Sequence, residues 1–96
     1  MSITYRGLIW KVYTTPTDRH LLRAWCVDST PVCEWFVDEY STRSLDQLAT
    51  INAPHAVTVC KLRGWRAIDG VPWEIHGIED EDAYQTALAS YKDAMP

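Results

Sequence analysis

The chain is 96 residues long and 47% apolar, with 13 acidic against 9 basic side chains for a net charge of −4. That is core material for one domain; it excludes a disordered chain, and the acidic balance argues against nucleic acid as the main ligand because phosphate demands positive charge. No run reaches the roughly 20 apolar residues of a membrane span and Met1 to Thr14 carries no secretory core, so no membrane partner and a cytoplasmic setting are expected.

In chain order, LIWKVYT (8–14) is rich in β-branched and aromatic residues and should form a strand, with HLLRAWCVD (20–28) paired back on it across a turn. Thr15-Pro16-Thr17-Asp18 would also serve as a helix start, which is the rival reading of that segment. VCEWFVDEY (32–40) reads as a third strand. Ser44-Leu45-Asp46-Gln47 matches a capping box, and a short helix near 45–52 should stop at Asn52 and Pro54. AVTVCKL (56–62) then reads as a strand. Asp69-Gly70 suits a type I′ turn, which would pair 65–68 with 71–74 and set Trp65 beside Glu74 on a mixed face. A three-residue turn would instead put Trp65 and Trp73 on one face, both buried. Finally Ala83, Tyr84, Ala87, Leu88, Tyr91 and Met95 recur at helical spacing, so a C-terminal helix near 82–95 is expected, with Asp82 as its cap. The expected fold is a single α+β domain: an antiparallel sheet of about five to six strands carrying two helices.

The candidate functional residues are Trp65, Glu74 and the run Glu79, Asp80, Glu81 and Asp82. Acids before a helix stabilise its positive end, which accounts for one or two of them. Four in succession exceed that need. The asymmetry is also wider than a cap: residues 69–96 carry a net −6 and residues 1–68 a net +2. A solvated face is the plain reading, and a surface aimed at a basic protein partner is the functional one.

Chemistry is less well signalled. Cys26, Cys33 and Cys60 are an odd number at loose spacing and fit reduced core residues better than disulfides. Neither Cys26-x6-Cys33 nor His55-x4-Cys60 has a zinc-ligand spacing, and the four Gly stand apart, so no metal, phosphate loop or other cofactor is expected. The expected function is therefore non-enzymatic: a phage or mobile-element inhibitor that occludes a basic site on a host nucleic-acid-handling defence complex, in the manner of an anti-CRISPR protein. An immunity protein or antitoxin is the alternative, and a small Cys/His enzyme the third. The sequence does not fix the oligomeric state.

Overall fold

A computed structural model describes residues 1–38 and 42–95. Four strands, β1 (Ser2–Tyr5), β2 (Leu8–Thr14), β3 (His20–Trp25) and β4 (Pro31–Phe36), form an antiparallel meander in the order β1-β2-β3-β4. Three helices follow: α1 (Leu45–Arg63), α2 (Trp73–His76) and α3 (Glu81–Ala94). The protein is thus α+β, with four strands among the described residues where five to six were expected.

The expected hairpin of 8–14 with 20–28 is β2 with β3, paired from Ile9↔Trp25 to Thr14↔His20. Thr15-Pro16-Thr17-Asp18 is its turn, closed by the Asp18 amide donating to the Thr15 carbonyl (2.9 Å), with Asp18 left-handed at φ 63°. Pro16 presets the turn and an Asp tolerates the positive φ, so no helix starts there. The third strand ends at Phe36, and the last two residues of the expected segment, Glu39 and Tyr40, lie outside the described residues. β1 was not anticipated. It joins β2 through Arg6 (φ 52°) and Gly7 (φ 73°), a two-residue loop with both residues at positive φ between the paired Tyr5 and Leu8. That is the I′ signature.

Alternation gives the sheet two different faces. Ile3, Tyr5, Leu8, Trp10, Val12, Leu22, Ala24, Cys33 and Trp35 turn to one side and belong to the core or pack on it. Trp10 is fully buried, and its indole N–H donates to the Tyr5 carbonyl at 3.0 Å. α1 lies across this side. Its buried residues Leu48, Ala49, Ala53, Ala56, Val57 and Cys60 make one helical stripe, and the small alanines let the helix approach the large Trp10.

α1 corrects two expectations. Its start is the predicted capping box, with Ser44 Oγ accepting from the Gln47 amide and Gln47 Oε1 accepting from the Ser44 amide. It does not stop at Asn52 and Pro54, and residues 56–62 are helix rather than strand. Pro54 costs a helical hydrogen bond, on the order of 3 kcal/mol. Continuing the helix buries Ala56, Val57 and Cys60 against the sheet, which offsets that cost. The stop is Gly64, left-handed at φ 69°, whose amide donates back to the Cys60 and Lys61 carbonyls.

The expected hairpin at 65–75 is absent. Gly70 is left-handed (φ 76°) but Asp69 is not, so the turn is not I′. Pro72 instead begins the single turn of α2, since proline is pre-set for a helix start and cannot supply a ladder donor. α3 then leaves the body. It contacts α2, and of its own residues Tyr84 alone is buried. The radius of gyration is 14.0 Å, against about 12.5 Å for a compact domain of this length, and the longest dimension is 49 Å.

Candidate functional site

The acid run divides between structural and free roles. Asp80, not Asp82, caps α3, its carboxylate accepting from the Ala83 amide at 2.8 Å. Asp80 has the extended backbone a cap requires (φ −70°, ψ 123°), whereas Asp82 already lies within the helix. Glu81 accepts from Arg6 Nη2 at 2.8 Å and from Gln85 Nε2 at 3.0 Å. The Arg6 side chain is 4% exposed and that of Glu81 59%. The Arg6 guanidinium also stacks on the Tyr84 ring, 3.4 Å from its centroid. Burial pushes the Tyr84 hydroxyl above its ordinary pKa, with the Arg6 charge acting the other way. Glu79 and Asp82 remain exposed, with no side-chain ion pair or hydrogen bond among the described residues.

Asp69 folds onto His76, Oδ1 to Nε2 at 3.0 Å, and accepts from the Val71 amide at 3.1 Å. His76 is buried between Trp73 and Tyr84. Two buried nitrogens here, Arg6 Nη1 and His76 Nδ1, have no hydrogen-bond partner among the described residues. The cavity that Arg6 and His76 help to line holds about 30 Å3, room for one water rather than a substrate.

Trp65 and Glu74 do come together, though not across a hairpin. Both line a shallow groove of about 310 Å3 with Arg66, Pro72 and Trp73. Trp65 is half-buried; Trp73 is buried and donates its indole N–H to the Trp65 carbonyl. Glu74 is 71% exposed, with Lys61 Nζ at 3.9 Å. The run 79–82 lies past the far end of α2 and does not line this groove.

The cysteines are free, with Cys26 and Cys60 buried and Cys33 half-buried. Burial raises all three thiols: Cys33 to about 11, Cys60 to about 12, and Cys26 by a smaller shift to which its hydrogen bond with Asp28 adds. A nucleophile needs the opposite shift, toward thiolate at neutral pH. Asp28 is held down to about 2, first by the Cys26 thiol and then by Thr30. Among the described residues no three His, Cys, Asp or Glu side chains converge as a metal cage requires, and no helix is long and apolar enough to cross a membrane.

The sequence reading missed the second face of the sheet. Ile9, Lys11 and Tyr13 on β2, Leu21, Arg23 and Trp25 on β3, and Glu34 and Phe36 on β4 point away from α1 by alternation and register. Tyr13 and Trp25 meet edge to face at 5.8 Å. Lys11 lies 4.9 Å from the Tyr13 centroid, and Arg23 lies 5.1 Å from Tyr13 and 5.8 Å from Trp25. Arg19 covers Phe36 at 3.6 Å. Strict period-two spacing of Ile9, Lys11 and Tyr13 opposite the apolar Leu8, Trp10 and Val12 was the available signal. No family model, curated protein or solved structure matches this chain.

Proposed function

We propose that the protein acts by binding rather than by catalysis, as a stoichiometric inhibitor that seats an acidic, apolar-striped helix on a basic surface of a nucleic-acid-handling protein, of the kind phages and mobile elements direct at host defence complexes. The observation that carries this reading is α3. Beyond Tyr84 its apolar residues Ala87, Leu88 and Tyr91 follow one stripe and are only half-buried, and Met95 at its C-cap is exposed. A helix of 14 residues is marginal alone in water, so a partner that covers the stripe would stabilise it. Exposed acids surround its base: Glu74, Glu79, Glu81 and Asp82. After residue 68 the chain has one basic side chain, Lys92. A basic rim around an apolar groove is the complementary surface.

Three side chains from the acidic group are free of the fold's own bonds or only loosely held: Glu74, Glu79 and Asp82. Parallel capture from host lysate with the parent protein, with Tyr91→Ala and with Glu74→Gln/Glu79→Gln/Asp82→Asn tests the reading. A basic nucleic-acid-binding protein should be retained by the parent and lost by Tyr91→Ala, a hot-spot change expected to cost about 2 kcal/mol. For that partner, the triple variant should associate more slowly and with a flatter salt dependence, at an unchanged melting temperature. Identical captured proteins for all three baits would remove both α3 and the acids from the interface, and a toxin as the captured protein would replace the anti-defence reading with immunity.

A further inference from the structure

We infer that the open face of the sheet is a second binding site, for single-stranded nucleic acid, independent of the α3 surface. At the β1–β2–β3 end of this face Ser2, Ile9, Lys11, Tyr13, Trp25 and Ser29 line a shallow hollow of about 270 Å3. That is below the usual size of a pocket that engulfs a ligand, and it suits one planar ring laid against an aromatic wall. Tyr13 and Trp25 form the wall, held at 70° to each other, and Ile9, paired with both Thr4 and Trp25, gives an apolar floor. The rings belong to the two central strands, where a sheet is stiffest. Stacking of bases on aromatic side chains of an open sheet is how single strands are generally held.

The charge distribution favours a strand over an apolar partner. Arg23 is neutralised by Glu34 (2.6 Å), but no carboxylate among the described residues pairs with Lys11. Lys11 lies beside the Tyr13 ring, with Ser2 directly opposite it in the register. One uncompensated cation and two hydroxyls next to an aromatic wall match one phosphate next to one base. Two acids lie nearby and both are engaged, Glu34 by Arg23 and Asp28, beside Ser29, by the Cys26 thiol and the Thr30 amide, while the run 79–82 is at the base of α3, which packs on α2. With one phosphate contact, binding should be stacking-driven and only weakly salt-dependent, which reconciles a strand site with a net charge of −4.

The test is fluorescence anisotropy of an end-labelled single strand of about ten thymidines with the 96-residue chain, at salt between about 50 and 200 mM. The parent should bind with a log–log salt slope of about −0.7, the value for one phosphate on a single strand. Trp25→Ala should weaken binding about tenfold or more. Lys11→Ala should weaken it and bring the slope close to zero, and this surface change carries the test if circular dichroism shows that Trp25→Ala has unfolded. Leu62→Ala, an exposed change on α1 away from this face, should bind like the parent. No binding, or Lys11→Ala equal to the parent in affinity and slope, overturns the proposal. So does displacement of the strand by an equal concentration of thymidine monophosphate, which would make the hollow a free-nucleotide site, and so does equally tight binding of a duplex.

Discussion

Arg6 is a long side chain held at φ 52°, a conformation that costs a non-glycine residue roughly 1–2 kcal/mol, and it is fixed there by Glu81 on one side and the Tyr84 ring on the other. Its neighbour Gly7 faces a second constraint. A Cβ on Gly7 would stand 2.9 Å from the Ala67 Cβ and 3.0 Å from His76 Nε2, both parts of the packed core rather than flexible ends. Gly70 shares the positive φ, yet a Cβ there meets nothing within 4 Å. The two glycines therefore separate backbone cost from packing cost. Gly70→Ala should lose about 1 kcal/mol, the left-handed penalty alone. Gly7→Ala should lose that amount and at least another 1–3 kcal/mol from overpacking. Urea denaturation of both variants measures the difference, and equal midpoints would mean that the turn yields and carries Gly7 away from His76.

At the scale of elements, what could be read from the sequence was what is local. The capping box at Ser44 and Gln47 is closed within four residues, and the β2–β3 pairing is closed by one short turn, so both were legible. The length of α1 was not. Pro54 and the β-branched run Val57-Thr58-Val59 both argue against helix by propensity, and what overrides them is burial of Ala56, Val57 and Cys60 beneath a sheet formed some thirty residues earlier. A turn does lie here, but its central residues are Ile68 and Asp69, closed by the Gly70 amide donating to the Ala67 carbonyl, one residue earlier than the expected Asp69-Gly70 pair. The expected hairpin also required strand on both sides, and Pro72 committed the second side to α2. The acids were legible as a group and their separate duties were not, because the residue that claims Glu81 is in the first hairpin. α1 offers a direct check on this balance. Replacing Pro54 by Ala restores a backbone donor in mid-helix without touching the buried stripe, since Pro54 is only half-buried. It should stabilise the protein by about 1–3 kcal/mol and raise the melting temperature accordingly. A lower melting temperature would show that the break in the ladder sets the curve of α1 across the sheet.

Over the whole molecule the two candidate surfaces are segregated by element as well as by charge. The aromatic and cationic face belongs to the strands, whereas the acid run 79–82 and the half-buried stripe of α3 belong to the segment after α1. The molecule is elongated, 49 Å against 26 and 22 Å, and the main element contact of α3 is with α2. The base of α3 is tied to the first hairpin by Arg6–Glu81, a pair 75 residues apart in the chain. The hairpin containing Arg6 needs only its own strands, whereas the carboxylate that holds the left-handed arginine is 75 residues away. A contact of such long sequence separation is expected to close late in folding, after the meander. Loss of a late contact falls on the escape rate: Glu81→Gln should unfold faster in stopped-flow experiments, with its refolding arm superimposed on that of the parent. A slower refolding arm would place the clamp in the nucleus. If the clamp is late, the bond between the first turn and the last helix is a latch that governs how long the native state persists rather than how quickly it is reached.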